Sequence, residues 1–386
     1  MKPNNMTFVN SLAQLEEVCR IFESSEWLAL DTEFLRETTY YPKFCLLQIA
    51  SSDHIACIDP LALTTLEPLR KLLFHPTITK IFHSGRQDLE IFYNIFGAVP
   101  NPIFDTQVAA PLLGFGDQIG YAALVSQIMG IHLEKAHSRT DWTVRPLSDE
   151  QLKYACDDVV YLAEIYRKIL KRLVDLKRLD WLQEDFEALT NPGLYNNQPK
   201  QAWQRIRGTN KLTSIQLTVL QVVAEWRETV AQQKDKPRNW IFRDDFIIDL
   251  ARLRPECMKT LANIRGLPNR ARKDYGENLC ALVKKAKTIL PVTDEIEKKP
   301  IKKTLEQEAI LDLLASVVRL RAAENSLSPT VLASKKDLEQ LLVNPTKAKI
   351  LHGWRKNLIG DELMEVLAGE RTLSISNGVI RIGNSH

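Results

Sequence analysis

The first 190 residues alternate between apolar runs of strand length and segments with the spacing of an amphipathic helix. Short apolar or alternating runs predict strands, and apolar positions three and four residues apart predict helices. The expected strands are 27–34, 44–50, 54–58 and 78–82, and the expected helices are 63–74 and 87–96, the last followed by Gly97. Three strands in succession, followed by alternating helix and strand, indicate a mixed α/β domain.

A long helical region closes this domain. It starts at Leu147, where Ser148 and Gln151 have the spacing of a capping box, and it runs to about residue 189. The segment 191–199 then combines asparagine, proline and glycine, which favour turns. We expect it to be the linker to the rest of the chain.

Beyond this linker nearly every segment has a helical pattern, and two stretches resemble each other. Segments 217–237 and 311–329 both lead into a proline, and each is followed by a further helix-like segment. A repeat of about ninety residues predicts a duplicated small helical domain, and the charged segment 291–300 is the expected linker between the copies. The expected domains are 1–195, 205–290 and 301–375.

The composition is typical of a globular protein of two or three domains. The chain has 386 residues, 45% of them hydrophobic, and no run of eighteen apolar residues. Its first residues lack the apolar core of a signal peptide, so we expect a cytoplasmic protein with no membrane partner. The sequence leads us to infer no obligate protein partner. The cysteines are Cys19, Cys45, Cys57, Cys156, Cys257 and Cys280. Without C-x-x-C spacing, they indicate free thiols rather than disulfides or a zinc site.

Charge is divided unevenly along the chain. Residues 1–190 hold 18 Lys+Arg against 26 Asp+Glu, and residues 191–386 hold 33 against 22. A basic half beside an acidic half favours binding of a polyanion, although a lysine-rich solvated surface explains the same numbers equally well. The basic residues of the first repeat are Lys211, Arg227, Lys234, Lys236, Arg238, Arg243, Arg252, Arg254, Arg265, Arg270, Arg272 and Lys273.

Two acids, Asp31 and Glu33, lie at the end of the predicted strand 27–34. Side chains two residues apart on a strand share a face, so the carboxylates lie side by side and repel each other. This arrangement suits a hard divalent cation, whose preferred ligands are oxygen atoms. An isolated D-x-E is more often the polar end of a strand, so the interpretation depends on further partners.

Three more residues are candidate partners. Asp88 lies in the first turn of the predicted helix 87–96, where the helix dipole alone also favours an acid. Tyr154 and Asp158 are four residues apart and share one helix face, whereas Asp157 points elsewhere. A phenol beside a metal-binding carboxylate can orient a water for hydrolysis, and an ordinary polar helix stripe is the alternative.

Together these positions resemble a known family. The matching motifs are Leu30-Asp31-Thr32-Glu33-Phe34, Cys45-Leu46-Leu47-Gln48-Ile49, His83-Ser84 before Asp88-Leu89, Phe104-Asp105-Thr106-Gln107, and Tyr154 with Asp158. Over residues 7–185 they resemble the tyrosine subclass of the DEDD-superfamily exonucleases, and within it the bacterial ribonuclease D family. The duplicated helical unit resembles the HRDC domain, a nucleic-acid-binding module that this family carries twice.

The resemblance implies an RNase H-like fold and hydrolytic removal of nucleoside 5′-monophosphates from RNA 3′ ends, in maturation of tRNA and other structured RNA. It also implies two Mg²⁺ or Mn²⁺ ions held by Asp31, Glu33, Asp88 and Asp158. Asp31 is then the residue expected to bridge the ions, and Tyr154 the residue that positions the water.

Five other residues have two interpretations each. Asp105 caps the following helix or serves the site, with the cap favoured, and His83 is a hydrogen-bonded structural residue or a neighbour of the site. Gln48 either reaches the substrate or is a buried amide with backbone partners. Phe34 and Leu35 stack on bases or, more simply, pack in the core.

Two other functions are open on sequence alone. A DNA 3′–5′ exonuclease would use the same acids, because they recognise a phosphodiester rather than a sugar. A non-catalytic RNA-binding scaffold would not need all four acids and the tyrosine. A helicase is disfavoured because no G-x-x-x-x-G-K-[ST] motif is present.

Overall fold

The computed structural model describes residues 6–133, 140–289 and 303–385. The expected linker 291–300 therefore lies outside the described residues. Among the helices that are described, none combines the length and apolar character needed to cross a membrane.

A six-stranded mixed sheet forms the centre of the first domain. Its strands are β1 Met6–Val9, β2 Trp27–Leu35, β3 Lys43–Ala50, β4 Ile55–Ile58, β5 Thr79–Phe82 and β6 Ile103–Asp105. They lie in the order β1-β4-β3-β2-β5-β6; β3 is antiparallel to β2 and β4, and the remaining neighbours are parallel. The four predicted strands and the mixed α/β class are confirmed, and β1 and β6 extend the sheet at its edges.

Helices cover both faces of the sheet. They are α1 Leu12–Phe22, α2 Glu67–Leu73, α3 Arg86–Phe96, α4 Thr106–Ala109, α5 Tyr121–Met129, α6 Asp149–Asp175 and α7 Gln183–Thr190. Buried side chains of α1, α2 and α3 pack with Leu28 and Leu30 of β2 on one face. On the other face, α6 packs against Ala29 of β2 and Leu46 of β3. Because successive residues of β2 point to opposite faces, Asp31 lies on the α6 side.

The predicted helices differ from the structure in two places. Residues 63–66 are not helical, and α2 begins at Glu67. The long region 147–189 starts with the expected capping box at Ser148 but ends as a helix at Asp175. Lys177 adopts a left-handed φ of 55°, and a 3₁₀ turn, Leu179–Leu182, leads into α7. The buried Arg178 donates to the Leu112 carbonyl at 2.7 Å, which fixes this break.

The expected linker 191–199 follows the end of helix α7, and it packs against the first domain. Tyr195 is buried among core residues of the first domain, and its hydroxyl donates to the Leu189 carbonyl at 2.7 Å. A 3₁₀ segment, Pro199–Arg205, follows directly. The connection to the helical part of the chain is therefore short and fixed.

The first helical domain has its own hydrophobic core. Its helices are α8 Ser214–Gln233, α9 Arg238–Ile241, α10 Asp244–Leu253, α11 Met258–Leu261 and α12 Asn269–Ala286. It contacts the segment that follows β2: the backbone N–H groups of Tyr40 and Tyr41 both donate to Asp235 Oδ1 at 3.0 Å, and the Tyr40 hydroxyl donates to the buried Glu228.

The second helical domain repeats this order of elements. Its helices are α13 Leu305–Glu324, α14 Pro329–Leu332, α15 Lys335–Val343, α16 Gly353–Arg355 and α17 Asp361–Leu367, with a π-helical turn, Lys356–Gly360, joining the last two. Its buried side chains are continuous with the α6 side of the first domain. Trp354 stacks on Trp181 with ring centroids 4.2 Å apart, and Arg178 donates to the Asn325 carbonyl at 2.6 Å.

A β-hairpin follows the second helical domain, β7 Arg371–Ser376 paired with β8 Val379–Asn384. Its turn residues, Asn377 and Gly378, have φ values of 53° and 77°. Asn-Gly is the strongest short hairpin signal in a sequence. The sequence analysis, which expects nearly every segment beyond the linker to be helical, does not predict this hairpin, and the expected end of the second helical domain at residue 375 falls inside β7.

Candidate active site

The site begins on strand β2. Asp31 and Glu33 project from it toward α6, opposite Gln48 and Leu46 of β3. Directly after Glu33 the pairing shifts by one residue, so that Phe34 faces Phe44. Such a bulge twists the strand locally, and bulges are common beside active sites. Glu33 is thus the last residue of β2 before the bulge, and Asp31 lies two residues earlier on the same face.

Helix α6 supplies the third carboxylate. Carboxylate oxygens of Asp31, Glu33 and Asp158 lie within 4.8 Å of one another. Tyr154, one turn earlier on the same face, hydrogen-bonds to the Asp158 carboxylate. Asp157 is outside this group of three, as the helix geometry predicts.

Asp88 lies in the first turn of α3 and is adjacent to the three clustered carboxylates. It is buried and accepts a hydrogen bond from the Thr32 hydroxyl, on the strand residue between Asp31 and Glu33. It is not among the three carboxylates within 4.8 Å, yet its charge raises the pKa of Asp31 and Glu33. The structure thus brings three of the four predicted acids together and places the fourth beside them.

The electrostatics of the site are dominated by burial and like charge. Burial, followed by Asp158, Asp88 and Glu33, raises the pKa of Asp31 well above its ordinary value. Burial and the neighbouring acids Asp158 and Asp88 raise the pKa of Glu33 to about 8. Burial also raises the pKa of Asp158 to about 7 and that of Asp88 to about 6.

This arrangement fits a divalent metal. The charged neighbours that shift the pKa of Asp31 are all acids, so the cluster carries unbalanced negative charge. Clustered carboxylate oxygens are the ligands of Mg²⁺ and Mn²⁺. The residues that could hold such ions are Asp31, Glu33 and Asp158, with Asp88 adjoining.

A cavity of about 200 Å³ opens beside Asp31 and Asp158. Tyr154, His83 and Tyr121 line it as well. Sequence reasoning missed Tyr121, whose hydroxyl donates to the backbone carbonyl of Asp158, because nothing local marks a tyrosine on α5 as a neighbour of α6. It also missed Trp142, whose buried ring packs against Tyr154 at a centroid distance of 6.2 Å.

The favoured structural role of Asp105 is confirmed. Its carboxylate accepts from Gln107 N at 2.8 Å at the start of α4, and from Gly85 N at 2.8 Å in the turn before α3. It therefore fixes the turn that places Asp88. His83 satisfies both interpretations: it lines the cavity, and its ring nitrogens lie 2.9 Å from the Thr106 hydroxyl and 3.0 Å from the Ile119 carbonyl.

Gln48 matches neither interpretation. Its side chain is fully buried, which excludes contact with substrate, and among the described residues neither its amide oxygen nor its amide nitrogen has a hydrogen-bond partner. Phe34 and Leu35 are partly buried and pack against the cores on the two faces of the sheet, so their simpler interpretation is confirmed. The cysteines are free thiols, as predicted.

Most of the basic residues of the first repeat lie at its surface, but Arg227 does not. It is 1% exposed and donates to the Phe242 carbonyl and to Asp244. The expectation that Arg227 contributes to a phosphate-binding surface is therefore wrong, because its guanidinium is used to join α8 to α10.

Comparisons with known proteins agree with this geometry. The family described as "3'-5' exonuclease" matches residues 6–174, and the HRDC domain matches residues 216–283. A ribonuclease D of Nitrobacter hamburgensis is 36% identical over 98% of this chain and 100% of its own. The corresponding enzyme of Bartonella henselae is 35% identical over 97% of this chain and 93% of its own.

The chain belongs to the ribonuclease D family. The crystal structure of Escherichia coli RNase D, described as an exoribonuclease involved in structured RNA processing, superimposes with a TM-score of 0.82 at 31% identity, covering 94% of this chain and 99% of that one. The protein is a 3′–5′ exoribonuclease of the ribonuclease D family, and the DNA exonuclease and scaffold alternatives are not favoured. Its substrate is RNA, and its activity depends on divalent cations.

Proposed function

We propose that this ribonuclease D removes nucleoside 5′-monophosphates from the 3′ ends of tRNA precursors and other structured RNA, using two Mg²⁺ or Mn²⁺ ions. The observation that supports this most strongly is the approach of Asp31, Glu33 and Asp158 within 4.8 Å, beside Tyr154. Its relative from Escherichia coli is described as a processor of structured RNA. The cytoplasmic location expected from the sequence stays a prediction.

In this proposal Asp31, Glu33 and Asp158, whose carboxylate oxygens lie within 4.8 Å of one another, would hold the ions. Asp88 completes the set from α3. Bound divalent ions stabilise the attacking and leaving oxygens of an in-line displacement at phosphorus.

Tyr154 has the orienting role. Burial and the carboxylates of Asp158, Glu33 and Asp31 raise the pKa of its phenol, so the hydroxyl remains protonated at neutral pH. A protonated phenol can donate to Asp158 and accept from a water, which directs the water lone pair toward the phosphate. Under this proposal the chain is a member of the tyrosine subclass.

We further propose three domains, 1–195 with an RNase H-like sheet, 205–290 and 301–375, the last two both of HRDC type. The matching order of helices in the two helical parts supports the duplication. The HRDC match itself covers the first copy.

The test is digestion of a 3′-extended tRNA and a DNA strand of the same sequence, with Mg²⁺ or with EDTA. We expect mononucleotide release from RNA that stops in EDTA, is abolished in Asp31→Asn and falls about a hundredfold in kcat in Tyr154→Phe. A Glu17→Gln variant at the exposed surface of α1 is the charge-matched control. Mononucleotide release that survives both EDTA and Asp31→Asn would contradict the metal-dependent mechanism. Equal rates on RNA and DNA would contradict the proposal that RNA is the preferred substrate.

A further inference from the structure

Two buried cysteines from different elements meet beside the active site. Cys57 lies on β4 and Cys156 on α6, and their Sγ atoms are 3.2 Å apart, which is hydrogen-bonding distance for sulfur. They are 0% and 4% exposed, and both are free thiols. Because the two residues are 99 positions apart in the sequence, it is the packing of α6 on the sheet that brings them together.

The cysteine pair adjoins the carboxylate cluster both across the sheet and along the helix. Across the sheet, Cys57 and Asp31 flank the same residue of β3, on the face that α6 covers. Along α6, Cys156 lies midway between Tyr154 and Asp158. A displacement of α6 at Cys156 is therefore passed on to both of the site residues that this helix supplies.

The pair lies close to the protein surface although it is buried. Cys156 Sγ is 3.0 Å from Sδ of Met6, which is at the start of the edge strand β1 and is 36% exposed. Cys156 is thus one side chain below the surface at this edge of the sheet, and Cys57, which has no exposed area, lies deeper.

A small movement would convert this pair into a disulfide. An S–S bond is about 2.0 Å long, so the two sulfur atoms must approach each other by about 1 Å. The same movement is large for a metal site, where ligand distances are defined to about 0.2 Å. Misplacing a reacting group by about 1 Å lowers a rate about a hundredfold.

We propose that Cys57 and Cys156 form a reversible disulfide that switches the nuclease off, because the bond draws α6 toward β4 and displaces Tyr154 and Asp158. The disulfide itself goes beyond the proposed function. The loss of activity rests on that function, since it requires these two α6 residues to serve the active site.

The oxidant in this proposal is a peroxide. The Cys156 sulfur attacks one oxygen of hydrogen peroxide: an S–O bond forms, the O–O bond breaks, and the leaving hydroxide takes the thiol proton and departs as water. The Cys57 sulfur then attacks the sulfenic acid: the S–S bond forms, the S–O bond breaks, and the Cys57 proton leaves in a second water. Two thiols are thereby oxidised and one peroxide is reduced. A dithiol reverses the reaction by thiol–disulfide exchange.

The test treats the full-length enzyme with hydrogen peroxide, removes the peroxide with catalase and then measures mononucleotide release from RNA with Mg²⁺. For wild type we expect kcat to fall about a hundredfold and to recover in dithiothreitol. Cys57→Ala and Cys156→Ala should keep their activity after the same treatment, because neither can form the bond. Cys257→Ala, which removes an exposed thiol, is the matched control and should lose activity as wild type does.

Two further measurements do not depend on RNA hydrolysis. Peptide mapping under non-reducing conditions should find the peptides of Cys57 and Cys156 joined in treated wild type and separate after dithiothreitol. Mg²⁺ should raise the Tm of the reduced protein more than that of the oxidised protein, because the displaced carboxylate weakens binding of the ion.

Absence of the joined peptides would overturn the proposal, as would joined peptides with an unchanged kcat and an unchanged response to Mg²⁺. An equal loss of activity in wild type and in both alanine variants would also overturn it, since oxidation elsewhere, as at Met6, would then be the cause. A reduced wild type that releases no mononucleotide from RNA would contradict the proposed function instead, and the peptide map and the Tm values would still decide whether the disulfide forms and disturbs the site.

Discussion

At the scale of single residues, the site is a set of charges that destabilise the metal-free protein. The carboxyl groups have raised pKa values because ionisation inside a buried acidic cluster is costly. A group whose folded-state pKa is raised contributes stability at low pH, and that contribution is lost as the pH rises through the folded-state value. For Asp88, Asp158 and Glu33 this loss begins near the ordinary pKa of the carboxyl group and is complete above about pH 6, 7 and 8, respectively.

Asp31→Asn should therefore stabilise the metal-free protein. Removing one of the repelling charges should raise the free energy of unfolding at pH 8 by about 1 kcal/mol or more, the equivalent of one pKa unit. Mg²⁺ should raise the Tm of wild type and leave that of Asp31→Asn almost unchanged. Thermal unfolding with Mg²⁺ and with EDTA measures both effects; a lower Tm for the variant in EDTA would contradict the electrostatic argument.

Gln48 has a different cost. On folding, the buried Gln48 amide loses its hydrogen bonds to water and gains none from the described residues, which lowers the free energy of unfolding by about 1–3 kcal/mol. We expect Gln48→Met, of similar shape and without those polar atoms, to unfold at equal or higher denaturant concentration than wild type. Leu46→Ala, which opens a cavity two residues earlier on the same strand, should be less stable by about 2–5 kcal/mol.

How far the sequence predicts the site depends on the residue. Asp31, Glu33, Tyr154 and Asp158 follow from strand and helix periodicity, which assigns side chains to a face. That α6 crosses β2 where those faces meet is a property of the packing, and Tyr121 and Trp142 become visible only there. Gln48 could not be assigned because its partners, or their absence, depend on the strands and helix around it.

At the scale of elements, α6 positions the chemistry. Its N-terminus is fixed by reciprocal hydrogen bonds between Ser148 and Gln151, and Tyr154 and Asp158 lie within the next two and a half turns. Ser148→Ala should lower the free energy of unfolding by about 1 kcal/mol, because it leaves an N–H group of the first turn without its acceptor. Urea unfolding measures the loss, and Ser148→Asp, which keeps an acceptor, should restore most of it.

The elements also show where local patterns fail. The hairpin β7–β8 has a clear Asn377-Gly378 signal that the helical context obscured. The end of α6 at Asp175 has no comparable signal, because it is fixed by contacts of Arg178 with Leu112 and Asn325, far away in sequence. Strong local turn chemistry is thus predictable, whereas a break imposed by tertiary contacts is not.

At the scale of the whole molecule, the two helical domains contact the nuclease in different ways. The second shares a continuous buried core with it. The first keeps its own core and contacts the segment after β2 through Glu228 and Asp235. The less basic second copy is thus the one whose core is continuous with that of the nuclease.

Asp235→Gly should loosen the contact of the first helical domain without straining the backbone, since Asp235 has a left-handed φ of 46° that glycine adopts freely. The loss of an acceptor for two backbone N–H groups should cost about 1–3 kcal/mol. Hydrogen exchange at the amides of Tyr40 and Tyr41 should speed up, whereas Asp235→Asn, which keeps an acceptor oxygen, should preserve their protection. Unchanged exchange in the glycine variant would show that the contact is held elsewhere.

The bond between Tyr40 and Glu228 also limits how the domains can be exchanged. Each residue belongs to a different domain, and a change in either one removes the hydrogen bond that joins their buried side chains. A chimera that joins the nuclease of this chain to the helical domains of a relative should therefore fold well only when both positions come from compatible parents. The nuclease and its first helical neighbour are expected to be inherited as one unit.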